Sequence, residues 1–330
     1  MTNLPARFAI FAIIVATIAI SVGGCAARRP GGAPEAGPLI EGPISPYAIA
    51  IGPDDNIWFT EYQGDRIRMM TPNGQVTRFP IASDGIAERI TGGPDAALWF
   101  TDPKGNRIGR IAIDGKIKYV KLPTPECGPT GITTGADGLI YFSEHAANRI
   151  GRMTIDGTLA EFTLRAHSGP AEMVTGNDGA VYFIEDEAGR IGKITRAGAI
   201  SEVAIPTAHS IPSGIASGPG GIYFAELSAE KIGKLNLDLG TIEEYSIVPR
   251  GKPLGLAVGP DGNLWMTTPD QHSIRRMSPH GHFSTYGGSA LLSPSFIAAA
   301  RAEYLYFSEP NGKIGRINAE GDIVEFEVGK

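Results

Sequence analysis

Six acidic residues recur along this chain at nearly fixed spacing: Glu61, Asp102, Glu144, Glu185, Glu226 and Glu309. A base follows each one, as Arg66, Arg107, Arg149, Arg190 and Lys231 five residues on, and as Lys313 four residues on. Carboxylates repeated on one face of a fold can hold a cation or hydrogen-bond a polar ligand. Acid and base in register can instead pair with each other across a hairpin. One unit decides between these readings: where the acid should stand it has Thr268, and where the base should stand it has Ser273. Joint loss is what a structural ion pair predicts. An exposed pair of this kind contributes ~0–1 kcal/mol, so its expected role is to hold a loop. Other chemistry is sparse. The six histidines (His145, His167, His209, His272, His280 and His282) are scattered. No nucleophile elbow, zinc-protease helix, phosphate loop or metal-spaced Cys/His cluster is present.

The elements that carry these residues are set by a repeat. Each acid, and Thr268 in the sixth unit, closes a run whose first aromatic is Trp58, Trp99, Tyr141, Tyr182, Tyr223, Trp265 or Tyr306, at gaps of 41 or 42 residues. Six of the seven are followed by Phe and the other by Met266. One unit holds four short β-branched and aromatic runs punctuated by Gly, Asp and Pro. No stretch after residue 40 keeps helical periodicity for three turns. Four strands per ~41 residues is a propeller blade. The fold class is therefore all-β: a seven-bladed β-propeller with four-stranded blades over residues 39–330. Two segments compete for the outer strand of blade seven, Ile323 to Val328 and Leu39 to Ile44.

If scaffolding explains the consensus, binding should sit where the copies differ. The position after the Pro that opens six of the units, and after Ala87 in the second, reads Tyr47, Glu88, Thr130, Ala171, Ser213, Leu254 and Ser295. It is expected at the mouth of the central channel. Glu88–Arg89 in the second unit, Glu172 in the fourth and Thr267, Thr268 and His272 in the sixth make that mouth polar and asymmetric. The expected ligand is a small molecule, glycan or peptide. His280 and His282 flank a turn on the opposite face and are expected to be solvated.

The units Ile-Trp-Phe-Thr-Glu, Asn-Arg-Ile-Gly-Arg-Ile and Glu-Phe-x-x-Pro resemble those of the virginiamycin B (streptogramin) lyase family across all seven repeats. The resemblance implies the propeller fold. It also implies Mg²⁺-assisted elimination at the ester of a cyclic streptogramin B, which needs a base for the α-proton and a group to stabilise the developing charge. The family sets its key histidines after the Pro that opens each of the last two repeats, the last one preceded by a glutamate. The matching positions here are Leu254 and Ser295, with Ser293 in place of that glutamate; Glu309, an acid common to the repeats, lies near the place of a second family glutamate. Leu cannot accept a proton, and Ser has no suitable pKa near neutrality. The expectation is a binding propeller without confident cofactor. One alternative is a lyase or hydrolase with a relocated base, drawn from His272, His209, Glu88, Glu172 or Glu309, and using Mg²⁺ if the family chemistry holds. Another is an envelope scaffold for protein assembly.

Residues 8–22 are uncharged and mostly apolar behind Arg7, too short for a typical span and suited to a signal sequence over 1–24. Val22-Gly23-Gly24-Cys25 resembles the lipobox of bacterial lipoproteins, which implies acylation of Cys25 and a tether over 25–38 rich in Ala, Gly and Pro. The expected location is the cell envelope, facing periplasm or exterior, at the outer membrane in a Gram-negative host since Ala26 follows the cysteine. Cleavage removes Arg7, leaving 28 basic against 35 acidic residues, a balance that argues against nucleic acid. The remaining thiol, Cys127, is expected to be inert, and the domain to be a monomer.

Overall fold

The computed structural model describes residues 44–62, 64–288, 291–300 and 303–329. The leader over 1–24, Cys25, the tether and Leu39 to Pro43 lie outside the described residues.

Seven four-stranded antiparallel sheets make up the structure, each built from strands consecutive in sequence. Blade one runs through Pro46–Ile51, Ile57–Glu61, Arg66–Met70 and Val76–Pro80, from the inner strand at the channel to the outer edge. Blade seven runs through Ile297–Ala299, Tyr304–Glu309, Lys313–Asn318 and Ile323–Glu327. The C-terminal segment thus supplies its own outer strand, which answers the question of closure. Among the described residues the one helical element is a 3-10 turn at Pro269–Gln271.

The consensus residues explain the blade. The second strand is buried on both faces, so it reads as a continuous apolar run. Its Phe faces a glycine directly across the sheet, as Phe142 faces Gly151. A Cβ on Gly151 would lie 2.1 Å from that ring. In five blades the first aromatic reaches back to the Asp four residues earlier, which fixes the turn between strands one and two. Trp58, Trp99 and Trp265 donate their indole N–H to Asp54, Asp95 and Asp261 at 3.0–3.1 Å. Tyr141 and Tyr182 donate their hydroxyls to Asp137 and Asp178 at 2.9 and 2.8 Å. An aromatic ring is thereby buried with its polar atom satisfied.

The residue after the aromatic pair joins neighbouring blades. Thr60, Thr101, Ser143, Thr267 and Ser308 accept hydrogen bonds from the inner-strand amides of Ala48, Arg89, Gly131, Gly255 and Phe296 at 2.7–3.1 Å. Thr60, Thr101 and Thr267 then donate to the carbonyls of Glu88, Thr130 and Ser295 in the next blade. Blades four and five have Ile184 and Ala225 there and bury apolar groups instead.

At the seam between blades one and seven, Ile49, Ile57, Phe59 and Met70 pack with Tyr306, Ile314 and Val328. Arg68, in place of the consensus glycine, is fully buried and donates from Nη1 to the Val328 carbonyl at 3.4 Å.

Candidate functional site

The recurring acids do not form exposed pairs with the bases that follow them. Glu144, Glu185, Glu226 and Glu309 have no exposed surface. In these four blades the base turns to a second glutamate on the outer strand. Arg149 binds Glu161 at 2.6 Å, Arg190 binds Glu202 at 2.8 Å, Lys231 binds Glu244 at 2.6 Å and Lys313 binds Glu325 at 3.2 Å. Both carboxyl oxygens of Glu144, Glu185 and Glu226 lack a donor. Each of the four faces the carboxylate of its outer-strand partner, so a retained proton is the physical solution. Burial, reinforced by that neighbouring carboxylate, pushes Glu144, Glu185 and Glu226 up to about 7. Burial and Glu325 push Glu309 up to about 8.

The expected hairpin pair exists in blade two, where Arg107 Nε donates to Asp102 at 2.7 Å. In blade one Glu61 takes Arg68, two residues beyond the expected Arg66. In blade six Thr268 and Ser273 share a hydroxyl contact at 2.7 Å. Arg275 there replaces the consensus glycine, and burial lowers its pKa. It donates to the carbonyls of Pro249 and Arg250. Sequence spacing sees the base five residues on; it misses the outer-strand glutamate that folding brings alongside. The signal for that glutamate is the joint replacement by Thr268, Ser273 and Thr285 in one unit.

Thr268 and Glu309 therefore lie inside their blades, away from the channel mouth. One Glu309 oxygen accepts the Leu292 amide at 2.7 Å. His272 is exposed with φ of 51°. Its carbonyl accepts the Gly288 amide at 3.0 Å, at the end of the outer strand, so it stands toward the blade's outer edge. His209 is exposed in the connection to blade five. Cys127 is buried, and desolvation followed by Glu144 raises its thiol to about 12, which leaves it unreactive.

The mouth itself is built from the differing positions of four blades. Arg89, on blade two, makes an ion pair through Nε with Glu172 on blade four. Its guanidinium lies 4.6 Å from the Tyr47 ring centroid and 4.4 Å from that of Phe296. Tyr47 meets Phe296 edge-on at 4.7 Å and Tyr62 at 5.5 Å. Burial opposes the charge on Arg89, but Glu172, Tyr47 and Glu88 outweigh it and hold the group cationic. Arg89 Nη1 is buried without a hydrogen-bond acceptor. Blades one, two, four and seven thus converge on one cation held by aromatic faces and a carboxylate. Phe296 and Tyr62 carry no sequence signal that singles them out.

On the other side of the mouth, Ser213 is half-buried and its hydroxyl points at the Pro253 carbonyl, 3.4 Å away. Thr130 and Leu254 are buried. Ser295 is fully buried and donates to the Ser293 carbonyl at 3.1 Å. Among the described residues no three His, Cys, Asp or Glu side chains gather as a metal-ligand set. The residues at the positions that resemble the lyases do not fit Mg²⁺: an aliphatic chain, a hydroxyl tied to its own backbone, and a carboxyl turned toward Glu325.

The virginiamycin B lyase family model matches residues 36–252 and 220–330. A structure of streptogramin B lyase is 31% identical, with a TM-score of 0.79, covering 84% of this chain and 94% of that one. The virginiamycin B lyase of Staphylococcus aureus is 34% identical over 82% of this chain and 94% of its own, with a TM-score of 0.77. A catalytically inactive His-to-Ala variant of the S. aureus enzyme, solved with quinupristin, is 32% identical over 84% of this chain and 96% of its own, with a TM-score of 0.79. No curated protein matches the chain.

Proposed function

The chain belongs to the virginiamycin B lyase family, and on that footing we propose that it is an exported, membrane-tethered propeller that binds a small molecule or peptide at the channel mouth without the family's ester elimination. The observation that carries this reading is the Arg89–Glu172 ion pair set between Tyr47 and Phe296. It is a specific, desolvated polar group at the place where the repeats differ most. Leu254 and Ser295 support the second half of the reading, because neither can take a proton from carbon at neutral pH. The tether follows from Cys25 and its surroundings.

Purified protein with Mg²⁺ is expected to leave a streptogramin B antibiotic cyclic, as read by mass spectrometry; linearisation overturns that half of the reading. A ligand found in a small-molecule and peptide screen should lose tenfold or more in affinity with Arg89→Ala and with Glu172→Ala. Equal affinity for wild type and both variants would move the site elsewhere. Cys25→Ser should shift the folded domain from the membrane fraction to the soluble one, and its retention in the membrane would refute lipid anchoring.

A further inference from the structure

The residue that follows each recurring acid occupies an equivalent place in every blade. Where it is not proline, its amide donates to the carbonyl of the residue just before the Pro that opens the inner strand. Tyr62 bonds Ser45 at 2.8 Å, His145 bonds Gly128 at 3.0 Å, Asp186 bonds Gly169 at 3.0 Å and Leu227 bonds Ile211 at 3.1 Å. Tyr62 shows where such a side chain reaches, since its ring meets Tyr47 at the mouth. The seven residues at this place are Tyr62, Pro103, His145, Asp186, Leu227, Pro269 and Pro310. Among these seven, blade three carries an imidazole and blade four a carboxylate, and those two groups touch.

His145 Nε2 lies 3.0 Å from Asp186 Oδ1, across the boundary between the two blades. Their side chains are 15% and 14% exposed, dry enough for the contact to hold and open enough for water to reach it. With Nε2–H donating to Asp186, the other ring nitrogen, Nδ1, keeps its lone pair, and no hydrogen bond reaches it among the described residues. The local backbone is shaped for this contact. Gly169 has φ of 58°, and a Cβ there would lie 2.5 Å from Asp186 Oδ1. A second observation points to the same mouth: the buried, unmatched N–H of Arg89. Glu172 already neutralises Arg89, and Glu88 adds further negative charge. A neutral carbonyl oxygen suits that donor better than an anion.

We infer that the His145–Asp186 pair is a general-base dyad at the channel mouth, acting through water on a neutral carboxylic ester or lactone. This goes beyond binding, and rests on the mouth only for where the substrate sits. Nδ1 of His145 takes a proton from water as the water oxygen bonds the carbonyl carbon. The acyl C–O bond then breaks, and the departing alkoxide takes the proton from the imidazolium. Ester and water become acid and alcohol, with no redox partner. Asp186 is a positioning residue that fixes the ring and steadies its charged form.

The full mature chain would be assayed with p-nitrophenyl butyrate and with a panel of γ- and δ-lactones in ¹⁸O-water. Turnover above buffer, with ¹⁸O in the acid product, is expected for at least one probe. His145→Ala should lower kcat by about 100-fold or more at unchanged KM, with partial rescue by added imidazole. Asp186→Asn should lower kcat about 10-fold at unchanged KM. Arg89→Ala should raise KM. Turnover unchanged in His145→Ala would overturn the dyad, as would binding of a probe, competed by loss of Arg89, without turnover. An unsaturated product in place of the ¹⁸O-labelled acid would mean elimination and overturn the hydrolytic step. If no probe in the panel binds or turns over, the ester and lactone assignment fails, while the mouth reading is judged separately by its own ligand screen.

Discussion

Blades four and six solve the same packing problem in opposite ways. In blade four, Glu185 and Glu202 face each other between the second and outer strands, and Arg190 at 2.8 Å neutralises the outer one. In blade six the corresponding residues are Thr268, Thr285 and Ser273, and the hydroxyls of Thr268 and Ser273 satisfy each other. Blades three, five and seven follow blade four. A buried carboxyl is tolerable when it keeps its proton beside a second acid whose own charge is held by a cation. Removing one member strands the others, so all three change together. The acids therefore serve the blade, and function has to be sought where the copies differ without such compensation, at the channel mouth.

The largest test puts one member of the set into the wrong blade. Thr268→Glu places a carboxyl at a fully buried site that has no acid partner, beside a cation, Arg275, that is already committed to the carbonyls of Pro249 and Arg250. It should cost about 3–5 kcal/mol at pH 8, measured by urea unfolding. Adding Ser273→Arg and Thr285→Glu should recover a large part of the loss. A cost below about 1 kcal/mol would break the comparison.

Next in size is Arg190→Gln, which takes the nearer cation from Glu185 and Glu202 and leaves the exposed Arg165, 3.6 Å from Glu202. A loss of roughly 1–3 kcal/mol is expected, greater at pH 8 than at pH 5. The same loss at both pH values would mean that the cation acts by packing alone.

The smallest effect is Glu185→Gln, whose amide imitates the protonated carboxyl. Glu185 is raised from 4.5 to about 7, so the native state binds its proton more tightly than the unfolded chain does. Stability from this group is fully present below about pH 4.5 and is lost as pH rises through about 7. The variant should match wild type within about 1 kcal/mol at pH 5 and equal or exceed it at pH 8.5, with a flatter stability–pH curve between. A steeper curve would mean that the proton resides elsewhere. Glu144, Glu226 and Glu309 should keep part of the slope in either protein.

Blade number, strand count and core are readable from sequence because they depend on local alternation and a period. Trp58, Phe59 and their copies are buried wherever the second strand runs. The acid–base pairing is not readable in the same way, because the partner of Glu144 is Glu161, on an outer strand reached through two turns. Its spacing varies between units, as Glu226 with Glu244 and Glu309 with Glu325 show. The mouth is readable as a place but not as an arrangement. Arg89 meets Glu172 by skipping blade three, and Phe296 arrives from blade seven. His145 and Asp186 are visible as residues, yet only the shared backbone bond at the foot of each inner strand puts them side by side.

Each sheet is complete within its own stretch of chain, and among the described residues no strand from one end of the sequence interlocks with the other end. The ring is therefore a closed string of beads rather than a buckled belt. The seam at Arg68 and Val328 is one more blade boundary, held by the same kind of contact as the others, with an added arginine. Moving the chain ends to any other blade connection should leave seven intact beads, so circular permutants opened between blades should fold. The N-terminal anchor proposed above would then sit beneath whichever blade was chosen, turning the mouth toward or away from the membrane.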